Sequence, residues 1–180
     1  MKSLLYVFVS VLISLSCSSD ISKNKSNSKS QSGPGPEKQK LPEKFEIEIL
    51  EWGGMVNGDD HWLITPDSII FTSAYVDPEL DSAVTVIKRF ALTKEQAKKI
   101  SSALAELKPD TFPKDNVGHS APDDLREFDF TVTTDGVKNE FHIYCQRITL
   151  VENLVTAINE ILPETDRIAY NESYFGRCGR

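Results

Sequence analysis

Polar and apolar residues alternate with a period of two through Phe45-Glu46-Ile47-Glu48-Ile49. Phe45, Ile47 and Ile49 fall on one face and Glu46 and Glu48 on the other, the pattern of a half-buried strand. Residues 52–60 (Trp-Gly-Gly-Met-Val-Asn-Gly-Asp-Asp) read as a glycine-rich loop, with Asn57-Gly58 a tight-turn dipeptide. Residues 61–65 and 69–75 follow as a hairpin across Pro66-Asp67, and residues 83–90 as a further strand after the break at Asp77-Pro78-Glu79.

The period then changes. Thr93 with Gln96 three positions on makes a capping box, and Ala97, Ile100, Leu104 and Leu107 keep helical spacing until Lys108-Pro109. Residues 110–124 are a long polar loop, and residues 125–133 and 137–145 a second hairpin across Thr134-Asp135-Gly136. A second helix is expected to open with a capping box of Thr149 and Glu152 and to end at Pro163. Its stripe is Leu150, Val151, Leu154, Val155, Ile158, Ile161 and Leu162. Helices with one apolar stripe and strands with one apolar face assemble as two layers. The expectation is an α+β domain over residues 45–165: an antiparallel sheet of five or six strands with two helices packed on one face. Residues 166–180 are a tail, docked by Tyr170, Tyr174 and Phe175 or else loose.

Ahead of this domain the pattern is different again. Lys2 precedes an apolar run over residues 4–15, about half the roughly 20 residues a membrane-spanning helix needs, so residues 1–16 read as an export signal peptide. The run ends in Ser14-Leu15-Ser16-Cys17, which resembles the lipobox of bacterial lipoproteins with its Leu and small residue exchanged. The resemblance implies cleavage before Cys17 and lipidation of its thiol by acyl chains such as palmitate. Two or more chains make a stable anchor where one is marginal. Residues 18–44 are Ser, Lys, Asn, Gln, Gly and Pro with almost no apolar surface, so residues 17–44 are expected to be a lipidated Cys and a disordered tether. As a flexible coil, the tether spans roughly 30 Å root-mean-square.

Charge divides along the same line. Residues 18–44 carry six lysines against Asp20, Glu37 and Glu43, whereas residues 45–180 carry 13 Lys/Arg against 24 Asp/Glu. The lysines suit an anionic membrane surface or a solvated spacer. A balance of −11 over residues 45–180 makes nucleic acid a poor partner, since its affinity rests on phosphate neutralisation. Cys145 and Cys178 are the remaining cysteines, open to a disulfide or to two free thiols.

Catalytic motifs are absent: the chain has no phosphate loop, HExxH, CxxC or G-x-S-x-G. Asp59, Asp60 and His61 close the first loop, and Asp115, His119, Asp123 and Asp124 lie on the long one. If the two loops met, these donors offer a divalent cation oxygen and nitrogen ligands. The same loops are otherwise solvated connections. Trp52, Met55 and Trp62 offer contact area, although tryptophans beside a loop more often close the edge of a core. With Asp59, Asp60, His61, His119, Asp123 and Asp124 they make up the expected interaction surface. His142 shares the polar face of its strand with Lys138, Glu140 and Tyr144.

In layout, residues 45–162 look like the small α+β domains of unknown function that many bacterial lipoproteins carry. The expectation is a lipid-anchored protein of the bacterial cell envelope, in the outer membrane if the cell has two. It is expected to be a binding or interaction module for an envelope protein or small ligand, with no cofactor. The alternative is a metal-assisted hydrolase using the Asp/His residues of the two loops.

Overall fold

In a computed structural model of the protein, which describes residues 41–54, 58–119, 122 and 124–178, the alternating positions become the two faces of one sheet. β1 (Phe45–Gly53) lies between β2 (Gly58–Ile64) and β6 (Arg126–Thr134). Beyond β2 come β3 (Ser68–Asp77) and β4 (Ser82–Ala91); beyond β6 come β7 (Val137–Tyr144) and β5 (Asp115–Val117). The order is therefore β4-β3-β2-β1-β6-β7-β5. The class is the expected α+β, but among the described residues the sheet has seven strands rather than five or six, and it is not wholly antiparallel. β5 runs parallel to β7, pairing Asn116 with Ile143. Three residues are too few to show alternation, so the long loop concealed this strand.

Register carries the apolar pattern across the sheet. Ile47 sits opposite Ile64 on one side and Val132 on the other, and Ile49 opposite Trp62 and Phe130. Phe130 in turn faces Phe141, with stacked rings 4.9 Å apart. All of these are buried together with residues of both long helices. Fully burying each such side chain contributes about 1.5–3 kcal/mol. The alternate positions, Glu46, Glu48, Leu50 and Trp52 on β1, face away from the helices.

α1 (Lys94–Leu107) opens with the expected capping box: the Thr93 hydroxyl accepts from the Gln96 amide at 3.2 Å, and the Gln96 side chain accepts from the Thr93 amide at 2.8 Å. Ile100, Leu104 and Leu107 are its buried stripe. α2 (Thr149–Asn159) corrects the sequence reading. Its N-cap is Ile148 and no side chain caps it. The Ile148 amide instead donates to the Tyr170 hydroxyl at 3.0 Å, and Glu152 is engaged by Arg147. Thr149 lies inside the first turn, where the Glu152 amide donates to the Ile148 carbonyl at 3.0 Å.

The tail is docked. Ile168, Tyr170 and Tyr174 are buried, the two tyrosines standing edge-on to Phe128 at 5.4 and 5.2 Å. α3 (Glu172–Phe175) is a single turn capped by the Asn171 side chain. A disulfide joins Cys145 to Cys178. Cys145 leaves β7 at a φ of 50°, with its carbonyl so close to Gly118 that a Cβ there would stand 2.3 Å from it. Only glycine admits that approach.

Candidate functional site

β1 runs four residues past the last alternating apolar position, Ile49, and the parity that buries Phe45, Ile47 and Ile49 also turns Glu51 inward. Glu51 is 1% exposed. On β6 the parity of Phe128 and Phe130 likewise turns Arg126 to the helix side. The guanidinium Nη1 of Arg126 donates to Glu51 Oε1 at 2.9 Å and to Asp60 Oδ2 at 3.1 Å. The second Glu51 oxygen accepts from the Ala169 amide of the tail at 3.3 Å. Two strands, the end of β2 and the tail thus converge on one buried carboxylate.

Burial pushes the Glu51 carboxyl above the ordinary carboxylate range, against the pull of the Arg126 charge and the Ala169 amide. Burial also opposes the charge of Arg126, but Glu51 and Asp60 outweigh it and hold the guanidinium above its usual value. Removing one member of such a set leaves an uncompensated buried charge, which costs several kcal/mol.

These residues form the wall of an open cleft of about 550 Å³ whose other lining residues include Gly54, Asp124, Arg167 and Arg177. Gly54 has a φ of +71°, and a Cβ on it would stand 3.1 Å from the Asp124 carbonyl. The first loop therefore leaves β1 directly against the chain entering β6. Arg167 directs its Nε at the carbonyls of Asn159 and Leu162, closing the C-terminal end of α2. Among the described residues, neither Asp124 nor Arg177 uses its side chain in an ion pair. The cleft presents three carboxylates and three guanidinium groups.

The residues singled out in the sequence scatter around this cleft. Asp60 and Asp124 line it. Asp59 and His61 have the opposite parity on β2 and lie on the sheet face away from the helices. His119 is exposed beyond β5, four strand spacings from β2, or about 19 Å across the sheet. The two histidines are not brought together, and among the described residues no three His, Cys, Asp or Glu side chains cluster with metal-ligand geometry. Trp62 corrects its assignment to the contact surface: it is 1% exposed in the core, its Nε1 donating to the Asp166 carbonyl at 2.8 Å. Met55, Asp123 and the lipidation candidate Cys17 lie outside the described residues.

A second polar group occupies the sheet face away from the helices. Asp129 and His142 are directly opposite across β6 and β7. His142 Nδ1 lies 2.8 Å from Asp129 Oδ1 and its Nε2 lies 3.3 Å from Glu127 Oε2. Trp52 Nε1 donates to the other Asp129 oxygen at 2.6 Å. No hydroxyl or thiol is hydrogen-bonded to the imidazole, both of whose nitrogens are engaged by carboxylates, so it has no nucleophile to activate among the described residues.

Sequence reasoning missed Glu51 and Arg126, although parity alone assigns both to the buried face. No protein-family model matches the chain, and no curated protein matches its sequence.

Proposed function

We propose that this is a lipid-anchored envelope protein, held by acylated Cys17 and a 27-residue tether, whose domain is a binding module. Its cleft takes a small ligand or peptide segment that bears both charge signs. The observation that carries the binding reading is the pairing of committed and uncommitted charge in one cleft. Glu51, Arg126 and Asp60 neutralise one another along the wall, while Asp124 and Arg177 line the same space without an ion pair among the described residues. An acidic rim alone would favour a simple cation; three guanidinium groups beside three carboxylates favour a ligand with an ammonium and a carboxylate a few ångströms apart.

The anchor and the cleft are tested separately. Mass spectrometry of the membrane-purified protein is expected to show a chain beginning at Cys17 with added acyl mass, and a soluble mature chain with an unmodified thiol there ends that half of the reading. For the cleft, the Ala169 and Gly54 amide resonances are followed while a zwitterionic dipeptide, a simple amine or a simple carboxylate is added at matched ionic strength. Saturable shifts are expected with the dipeptide alone, and weaker ones in Arg177→Ala. Equal responses to all three probes, or none to any, rule the cleft out as a zwitterion site.

A further inference from the structure

The β3–β4 hairpin reaches past the core, and it gathers much of the exposed apolar surface: Tyr75, Val76, Leu80 and Ile87, the last 68% exposed. β4 is the edge of the sheet, and among the described residues nothing pairs with its outer side. It pairs with β3 over ten consecutive residues, Ser82 to Ala91, without a bulge, and it contains no proline. Edges of soluble sheets are usually guarded by short strands, bulges, proline or charged side chains. This one is long and regular, and of its two cations, Lys88 and Arg89, the first is bound to Asp166.

The direction of its free hydrogen-bonding groups follows from the register. The Leu92 amide donates to the Asp67 carbonyl, across the hairpin, at 2.9 Å. Groups alternate along an antiparallel strand, so Phe90, Lys88, Val86 and Val84 also point toward β3. Ala83, Thr85, Ile87 and Arg89 therefore direct their amides and carbonyls at the open edge.

We propose that this edge pairs with a second copy of itself, antiparallel, about a two-fold axis through Thr85. Such pairing sets each residue opposite the one equally far on the other side of the axis. Val84 then meets Val86 of the second copy, Ala83 meets Ile87, and Thr85 meets itself. Asp81, in the turn immediately before β4 at a φ of 46°, comes beside Arg89 of the second copy, twice by symmetry. Both side chains are exposed, and neither makes an ion pair among the described residues. Shifting the axis to Val86 sets Val84 opposite Lys88 and Ala83 opposite Arg89; shifting it to Ile87 sets Val86 opposite Lys88. Of these three axes, the one at Thr85 puts apolar against apolar on both faces and brings the acid of the turn beside a base at both ends. Cross-strand pairs of these kinds are the elements that stabilise a sheet, and a self-complementary patch is what a two-fold interface requires.

Sedimentation velocity of the full chain in detergent tests this. The wild type is expected to show a concentration-dependent dimer. Asp81→Arg and Arg89→Asp each set like charges opposite one another and should raise the dissociation constant about tenfold or more. An equimolar mixture of the two variants restores acid–base pairs only between unlike chains, so it should recover the dimer as a heterodimer. Thr85→Pro removes an outward amide without touching the β3 ladder and should abolish dimerisation while the melting transition stays cooperative. A wild type that stays monomeric at every concentration reached, a dimer that survives Thr85→Pro, or a mixture that fails to recover each overturns the proposal. Monomeric wild type that captures a different protein through this edge overturns self-pairing in favour of strand addition by that partner.

Discussion

The Tyr174 hydroxyl donates to the main-chain carbonyl of Arg126 at 3.0 Å and accepts from the amide of Cys145 at 2.8 Å. One tail residue thus ties the backbone of the cleft arginine to the end of β7, and burial pushes its phenol up to about 12. Tyr174→Phe keeps the ring packing and strips both bonds. It is expected to cost about 1–3 kcal/mol in urea unfolding, the penalty of buried amide and carbonyl groups left unsatisfied. A loss below about 0.5 kcal/mol means that water satisfies both groups.

Glu51 sets a pH dependence whose sign is fixed. Its folded carboxyl titrates above its ordinary value of 4.5, so the native state holds that proton longer than the unfolded chain. The resulting stability is fully present below 4.5 and is lost as pH rises through the folded value. Compared with Glu51→Gln, wild-type stability should fall with pH above 4.5, by at most about 1.4 kcal/mol per pH unit. Parallel stability curves for the two proteins from pH 4 to pH 8 contradict this.

The two tryptophans report opposite environments. Trp62 is buried against Phe71, with ring centroids 5.3 Å apart, whereas Trp52 is 37% exposed. Trp62→Phe should leave only red-shifted emission that iodide quenches, and Trp52→Phe only blue-shifted, protected emission. Trp62→Ala is expected to cost about 3–5 kcal/mol, the range for emptying a core site of this size. Similar quenching of the two single-tryptophan proteins contradicts this placement.

Two threonines stand at the starts of the two long helices, and they should behave differently. Thr93→Ala removes a reciprocal cap and should cost about 1 kcal/mol. Thr149 caps nothing, so Thr149→Ala should lie within about 0.5 kcal/mol of wild type. Equal losses at the two sites would restore the cap that the sequence suggested for α2.

Replacing Cys145 and Cys178 together by serine opens the bridge that holds the last turn of the tail. The expected loss is about 2–4 kcal/mol. Hydrogen exchange should quicken first at the amides of Cys145 and Ile148, which are held by Tyr174 and Tyr170. Unchanged exchange there shows that the aromatic packing holds the tail without the bridge.

Local patterns made most of the layers legible. β1, β6 and β7 bury one face and expose the other, so alternation marked them, and the box at Thr93 marked α1. What stayed hidden depends on partners distant in the chain. The amide of Ile148, at the N-cap of α2, is satisfied by Tyr170, 22 residues on, and β5 is a strand only because β7 lies beside it. The cleft falls between these cases. Glu51 and Arg126 each carry a legible parity signal, a charged residue on an apolar face. That they meet is a consequence of β1 lying beside β6, and no spacing in the sequence encodes that neighbourhood.

The position of β1 also decides how the domain bears mechanical load. The chain enters the sheet at Phe45, the first residue of a central strand bonded to β6 along nine residues and to β2 along five. Tension drawn from the N-terminus along the strand loads both ladders in shear, so their hydrogen bonds must fail together rather than one after another. A pull across the strands at the β4 edge meets only a zipper, which opens bond by bond. The domain is therefore stiff along the line by which the chain enters β1 and weak across it.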